Sequence, residues 1–510
     1  MVVQAKSRNI DEVDDYLEQQ EGKINQERDA MLCHHNAHQK CTNCLPLDPY
    51  DEEYLKKKDI KHMSFHAYIR KLTDLHGKST RNVQPLENVD LKVDLNCGGS
   101  HRPYPQGICS KCRPPVVTLN RQRYRHVDNL TIENQHIVNR FLDFWRGSSY
   151  QRVGYLIGRY EPFGEVPLGI KANVVAIYEP PQKSAENGVS FEADPNEEII
   201  DELCVALGIK RVGWIFTDLW SADNSKGTVH CTRHGESFLL SAAECITAGA
   251  FQSKYKNYTK YCTDGVFGSK FVTVVASGDK SEQINFSGYQ VSNQCTSMVE
   301  ADILVPTDYM ELAYVRDKPL HEKHYVTDVQ FTEKNEYGAE VLRDGRPMPV
   351  EYLLVDVPAG MPKEPCETFH ISQTGFPIEN RAMIGQVQSV SRVMEYLNAF
   401  SSNQFIDLAS NFHFLVYLLT NDMLKFPKEE IFELVKHITA RDRVKAAEWA
   451  ESNDTWKIFI QMLQEQAHHG GPSSAPSAAG SGGAHWACAH CTFENTEPRA
   501  DCEMCGLPAN

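Results

Sequence analysis

Val153–Tyr160 reads VGYLIGRY, and Val212–Trp220 reads VGWIFTDLW. Each is a short apolar run rich in residues that favour extended chain, opened by a Val-Gly pair. Similar runs lie on either side: KANVVAIY at 171–178 and KFVTVVAS at 270–277. Helical stretches separate them, and that mixture predicts an α/β or α+β domain over residues 129–350.

Working outward, the chain divides into six parts. Residues 1–30 are acidic and in part helical (IDEVDDYLEQQ), and residues 31–128 hold two Cys/His clusters. Residues 351–466 become mostly helical: Val390, Val393, Met394 and Leu397 recur at i, i+3, i+4, i+7, as do Ile431, Leu434, Val435 and Ile438. FHFLVYLL at 412–419 predicts a buried helix. Residues 467–484 are a Gly/Ser/Ala/Pro tether, with a root-mean-square reach of roughly 25 Å. Residues 485–510 form a small module with four cysteines. The fold class expected is α+β multidomain.

The formal net charge of −16 over 510 residues argues against general nucleic-acid binding, which draws on a cationic surface. The N-terminus has no apolar stretch of the signal-peptide kind, and no run reaches the roughly 18 apolar residues of a membrane span. The expectation is a soluble, intracellular protein without direct membrane insertion.

Sixteen cysteines are present, ten of them in three tight clusters. Paired cysteines at short spacing predict zinc. Cys488 and Cys491 face Cys502 and Cys505 as two C-x2-C turns, a closed four-thiolate structural site. About 25 residues cannot bury an adequate core, so the metal holds that module. Cys33, Cys41 and Cys44 form a second set, with His35 as fourth ligand and His34 and His38 as alternatives. Cys97, Cys109 and Cys112 form a third, with His101. Three structural zinc ions are expected. His62 and His66 are four apart, hence on one helix face, and could compete; core or capping roles are the more economical reading. HGKST at 76–80 lacks the upstream glycine of a phosphate loop. Cys204, Cys231, Cys245, Cys262, Cys295 and Cys366 are expected to be buried free thiols. Between Leu95 and Val127 there is no acid, but Arg102, Lys111, Arg113, Arg121, Arg123 and Arg125 are present, a surface for an acidic partner.

Three resemblances follow from these residues. Trp486, Cys488, Cys491, Asn495, Cys502 and Cys505 match the small zinc finger shared by nuclear-localization-type and Ran-binding proteins. Within that family, Thr492, Phe493 and an apolar residue at Met504 mark the ubiquitin-binding subset. VGYLIGRY and VGWIFTDLW resemble the MPN fold, whose active members are zinc-dependent deubiquitinases. Here the general base position holds Gln151, the two histidine positions hold Phe216 and Asp218, and Ser241 with Glu244 are a remnant of S-x-x-D. Phe216 cannot ligate and Gln151 cannot act as base, so the resemblance implies an inactive domain.

The order of two Cys/His fingers, HMSFHAYIRKL, LNRQRYRHVDN, the MPN-like domain, the helices and the last finger resembles the nuclear protein localization protein 4 family over essentially the whole chain. That implies a non-enzymatic, substrate-recruiting cofactor that binds ubiquitin and polyubiquitin. It would act with ubiquitin fusion degradation protein 1 on the hexameric AAA+ unfoldase valosin-containing protein, in the cytoplasm and nucleus and peripherally at the endoplasmic reticulum. Proteasomal and ER-associated degradation would follow. Members of the family usually begin with a ubiquitin-like domain, which does not precede Met1. The alternatives are a divergent MPN deubiquitinase and an RNA-binding zinc-finger protein.

Overall fold

The computed structural model describes residues 10–28, 31, 33–36, 40–41, 44–75, 85–223, 226–469, 486–487 and 494–495. Met1–Ile460 form one compact unit and Gln461–Asn510 a second. In the second, Trp486–Ala487 pair antiparallel with Glu494–Asn495. HGKST lies outside the described residues.

The runs picked out above become neighbours in one sheet. Its strands are β1 (Asn129–Ile132), β2 (Val153–Phe163), β3 (Gly169–Tyr178), β4 (Lys210–Asp218), β5 (Val272–Gly278), β6 (Ile284–Val291), β7 (Leu354–Val357) and β8 (Ala359–Gly360). Their order is β7-β6-β5-β4-β2-β3-β1-β8. VGYLIGRY and VGWIFTDLW lie side by side, antiparallel, in the middle, with Tyr155 opposite Trp214. β7 and β8 are one stretch of chain interrupted at Pro358, yet they occupy the two ends of that order. The sheet therefore closes on itself, and the Leu130 N–H donates to the Pro358 carbonyl at 2.8 Å. Closure removes exposed edges. The sheet thus extends past residue 350, into the stretch expected to be mostly helical.

Two glycines of the motif pairs are explained by strand approach. A Cβ at Gly158 would stand 2.0 Å from the Asn173 carbonyl oxygen, where the β2–β3 register shifts, and one at Gly213 would stand 2.3 Å from that of Val272. β5 is buried over its whole length. Every one of its residues is small, β-branched or both, as a strand covered on two faces requires.

Thirteen α-helices are present among the described residues: α1 (Glu12–Glu18), α2 (Glu52–Lys57), α3 (Phe65–Leu75), α4 (Gln135–Ser148), α5 (Glu197–Ala206), α6 (Ala242–Lys254), α7 (Asn293–Glu300), α8 (Val390–Asn398), α9 (Phe405–Ala409), α10 (Phe412–Thr420), α11 (Lys428–Thr439), α12 (Arg443–Ser452) and α13 (Asp454–His469). α4 buries Val138, Phe141 and Leu142 on the sheet. Each such side chain contributes roughly 1.5–3 kcal/mol. In α11 the expected face, Ile431, Leu434, Val435 and Ile438, is fully buried. In α8 the buried residues are Val393 and Tyr396, so the stripe is turned from the expected one. The Tyr396 hydroxyl donates to the Leu408 carbonyl at 2.7 Å.

The acidic N-terminal segment is part of the core. α1 places Val13 and Leu17 in the main apolar cluster. Its Asp14, also buried, accepts from His66 Nε2 at 2.8 Å and pairs with Lys270, while Asp11 bridges Lys210 and Lys270. Burial alone would raise the Asp14 carboxyl, but Lys270 and His66 bring it down to about 2. His126 lies nearby, 4.2 Å from the Phe65 ring, with both ring nitrogens unpartnered. Burial, with Lys270, drives its pKa down to about 3.

The sign follows directly. Unfolding releases His126 to an ordinary pKa near 6.5, so its stabilising contribution is whole above that value and is lost as pH falls toward 3. Asp14 adds a loss only below its unfolded value near 4. Stability should therefore fall by about 2 kcal/mol from pH 7 to pH 5 through His126. Urea melts of His126→Phe should show that much less pH dependence over the same interval than the parent protein.

The helical region is locked to the sheet by a buried ionic cluster. Glu179, at the end of β3, is 0% exposed. It accepts from Arg152 Nε at 2.7 Å and from Arg381 Nη2 and Nε at 2.5 and 3.0 Å. Arg152 stacks 4.2 Å above the Phe144 ring and also donates to the Asn380 carbonyl. Glu379 accepts from His413 and from the Glu179 N–H.

Candidate metal centres

Two Cys/His clusters are assembled by the same local device. Cys44 and Leu45 donate backbone N–H bonds to the Cys41 carbonyl; Cys112 and Arg113 do the same to that of Cys109. Each turn folds the second cysteine back beneath the first, so that Cys41 N–H donates to Cys44 Sγ at 3.3 Å and Cys109 N–H to Cys112 Sγ at 3.2 Å. Such donors lower the charge density on a thiolate and favour its ionised form. The third cysteine and the histidine arrive from the chain before the turn.

The distances suit one tetrahedral ion in each cluster. Cys33, His35, Cys41 and Cys44 have ligand atoms all within 4.8 Å of one another, as do Cys97, His101, Cys109 and Cys112. Sulfur–sulfur separations are 3.7 Å (Cys33–Cys41), 3.8 Å (Cys41–Cys44), 3.7 Å (Cys97–Cys109) and 3.7 Å (Cys109–Cys112). Zinc–sulfur bonds of about 2.3 Å set the edge of a tetrahedron at roughly 3.8 Å. His35 Nε2 lies 3.1 Å from Cys44 Sγ, and His101 Nε2 3.6 Å from Cys112 Sγ.

The far side of each imidazole fixes its role. His35 Nδ1 is 2.9 Å from the Asn36 carbonyl and His101 Nδ1 is 2.7 Å from that of Arg102. A proton held on Nδ1 leaves the Nε2 lone pair for the metal. Arg28 holds the first loop by donating to the His35 and Cys33 carbonyls. Proximity to the three sulfurs, partial burial and the Nδ1 contact thus agree on His35. His34 is exposed, and His38 lies outside the described residues. His35→Ala should therefore weaken zinc binding at least tenfold, whereas His34→Ala leaves it unchanged. Competition with a chromophoric chelator measures both. With four protein ligands from one stretch of chain, the ion when bound cross-links its loop and leaves no position for a substrate.

His62 and His66 do not share a helix face: α3 begins at Phe65, and Met63–Ser64 pair in parallel with Tyr124–Arg125. Nδ1 of His62 meets the Gln122 carbonyl at 3.0 Å, and His66 holds Asp14. The basic stretch also needs correction. Arg102, Lys111, Arg113, Arg121 and Arg123 are exposed, but Arg125 is buried and donates to Asp128 at 3.1 Å. Of the six scattered cysteines, Cys204, Cys245, Cys262 and Cys295 are buried, Cys231 is half-buried and Cys366 is exposed. Cys366 sits in the Pro-rich stretch after β8, where no regular element covers it.

The five residues matched by position to a protease centre form a different structure. Gln151 is buried and spends its whole amide: its oxygen accepts from Thr217 Oγ1 and Leu219 N–H, and its nitrogen donates to the Leu219 and Glu186 carbonyls. Ser241 caps α6 in a reciprocal box with Glu244. Asp218 and Glu244 are brought together, as positional matching expected, but by Arg233. Its Nε donates to Asp218 at 2.7 Å, and Nη1 and Nη2 grip both Glu244 oxygens at 2.8 and 2.7 Å. Phe216 and Phe238 flank the guanidinium, whose carbon is 5.5 and 4.8 Å from their ring centres. A fixed organic cation therefore stands between two carboxylates. Arg233 was missed in the sequence because it lies in the insertion after Trp220, at no recognisable spacing.

Comparison with known proteins agrees with this division. A model described as the NPL4 family matches residues 152–464, more than half of the chain. The chain belongs to the NPL4 family. A second NPL4-family model, for a zinc-binding region, matches residues 8–149 and contains both clusters, so zinc binding is shared by the family's own domain description and by this geometry. The chain is 55% identical over 523 residues to nuclear protein localization protein 4 homolog 1 of Caenorhabditis elegans, covering 99% of this chain and 98% of that protein. It is 44% identical over 511 residues to the homolog of Homo sapiens, covering 98% of this chain and 82% of that protein. Against nuclear protein localization protein 4 of Debaryomyces hansenii the identity is 40% over 462 residues, 89% of this chain and 79% of that one. The two matched regions meet at the loop before β2, and the first of them also carries β1 and α4 of the closed sheet. No helix of the described residues is long and apolar enough to cross a membrane. The four cysteines of the third cluster, with Thr492, Phe493 and Met504, lie outside the described residues.

Proposed function

We propose that this NPL4-family chain is a non-enzymatic, ubiquitin-binding cofactor that recruits substrates to the AAA+ unfoldase valosin-containing protein. It would act with ubiquitin fusion degradation protein 1 and deliver polyubiquitinated proteins for unfolding and proteasomal degradation, including ER-associated degradation. It works in the cytoplasm and nucleus and peripherally at the endoplasmic reticulum. The observation that carries the non-enzymatic part is the Arg233 clasp. In a degenerate MPN domain, Asp218 and Glu244 would be two of the residues nearest the lost zinc, and here they are saturated by a guanidinium. Gln151, in place of the general base, is spent on the backbone. A sheet of this kind presents a surface rather than a reaction.

The exposed arginines and lysine of residues 102–123 support docking of the zinc-bearing part on an acidic partner, here assigned to the ATPase ring. The terminal finger, with a third structural zinc on Cys488, Cys491, Cys502 and Cys505, supplies a tethered contact for ubiquitin through Thr492, Phe493 and Met504. Its interface is small and its affinity correspondingly low. Phe493→Ala should weaken ubiquitin binding by the full chain at least tenfold and leave the zinc content unchanged. NMR titration with labelled ubiquitin measures the first and metal analysis the second. Co-purification with the ATPase hexamer, strengthened by polyubiquitin, tests the assignment as a whole.

A further inference from the structure

A cavity of about 60 Å³ lies between α4, the end of β3 and the chain that leads into α10. That is room for roughly four to six waters. Its lining is largely apolar, with Ile137, Phe369, Ile371 and Phe412 among the walls, and Arg140 and Asn411 interrupt them. The acid on the lining is Glu179, which is fully buried and held by Arg152 and Arg381.

Arg140 adjoins the ionic cluster that joins the helices to the sheet. Its carbonyl accepts from Arg381 Nη2 at 2.7 Å, and its own Nη2 donates to the Phe376 carbonyl. The cluster sets three guanidiniums, Arg140, Arg152 and Arg381, against two carboxylates, Glu179 and Glu379. Glu179 is taken by Arg152 and Arg381, and Glu379 by His413. Arg140 makes no ion pair among the described residues. Burial and the Arg381 charge press its guanidinium down to about 10, against the pull of Glu379 and Glu179. The cluster is therefore short of one negative charge, and the unbalanced cation stands on a cavity wall. A charge withdrawn from water without a counter-charge is costly, so an anion that enters gains by supplying one.

The donors that remain are open to a guest. Nε and Nη1 of Arg140 have no hydrogen-bond partner among the described residues, and neither is sealed from solvent. Asn411 is 8% exposed; its Oδ1 caps α10 by accepting from the Phe414 N–H at 3.1 Å, while its Nδ2 is unpartnered and likewise unsealed. A carboxylate has two oxygens to accept from Arg140 and Asn411, and its single charge balances the cluster. A phosphate brings more charge than the cluster lacks, and further oxygens that would lie against Ile137, Phe369 and Phe412. We propose that this cavity binds a carboxylate on a short apolar stem, independently of the ubiquitin reading above. The carboxylate belongs either to a free short-chain acid or to an aspartate or glutamate side chain of a partner protein.

The test uses the full-length, zinc-loaded chain. Propionate, its neutral counterpart propionamide, methylphosphonate and a tripeptide with a central glutamate and capped ends are titrated by saturation-transfer NMR at constant ionic strength. The expected result is saturable binding of propionate at one site, at least tenfold tighter than propionamide or methylphosphonate. Arg140→Met removes the unbalanced charge, which the fold should tolerate. Asn411→Asp keeps the cap of α10 and places a carboxylate on the wall. Each should weaken propionate binding at least tenfold, with zinc content and the far-ultraviolet spectrum unchanged. The peptide binding tenfold or more tightly than propionate identifies a partner's side chain; weaker preference than that identifies the free acid. Propionate behaving as propionamide or methylphosphonate does, or either variant binding it like the parent while remaining folded, would overturn the proposal.

Discussion

Replacing Glu179 by alanine lowers the unfolding free energy by about 3–5 kcal/mol. Among the described residues Glu179 is the only carboxylate shared by Arg152 and Arg381, and the two arginine side chains are each 2% exposed. Removing it leaves two guanidiniums in low dielectric with no counter-charge between them. Burial already presses the Arg152 guanidinium to lower pKa, held back by Glu179. The loss is also directional, because Arg152 lies on β2 while Arg381 leads into the helical region. The first consequence should be detachment of residues 376–460 from the sheet. Glu179→Gln keeps the shape and one acceptor oxygen and should cost less than alanine. Urea unfolding, followed by both Trp fluorescence and circular dichroism, separates the outcomes: in Glu179→Ala the two probes should part, the signal from Trp449 and Trp456 moving first.

Replacing Cys112 by serine should cost more, though locally. Cys112 is 3% exposed, and its sulfur stands within 3.7 Å of both Cys109 and His101 ligand atoms. Metal binding in a loop of this size contributes about 10–16 kcal/mol of apparent folding free energy in isolated zinc-finger peptides. Losing one ligand of four removes much of that, and residues 94–113 have little apolar core to replace it. Hydrogen exchange should rise to the unprotected level across that loop. The central sheet, which is closed by β7 and β8 and shares none of the ligands, should keep its protection. The same measurement on the chain treated with a strong chelator should give the combined pattern for both clusters.

How much of this was legible in the sequence depended on the range of the signal. The cysteine spacing announced both clusters because a two-residue gap and a tight turn are local, and His35 and His101 followed from proximity in the chain. The motif pair VGYLIGRY and VGWIFTDLW gave adjacent strands, and its glycines mark where backbones touch. The closing of the sheet by residues 354–360 could not be read, since β7 and β8 are paired with strands about 65 and 230 residues away. Arg125 looked like part of a basic surface because its partner Asp128 stands three residues on, just beyond the acid-free stretch. Arg233 and Glu179 carry no pattern at all: their roles exist only once distant carboxylates and guanidiniums meet.

The proposed role is to present ubiquitin to a motor without cutting it. The most direct measurement is a polyubiquitinated fluorescent substrate mixed with the ATPase hexamer, ATP, ubiquitin fusion degradation protein 1 and this chain. Fluorescence reports unfolding, and electrophoresis reports the chains. Fluorescence should be lost only when this chain is present, and every ubiquitin linkage should survive. Cleavage of ubiquitin chains by this protein alone, abolished by a chelator, would contradict it.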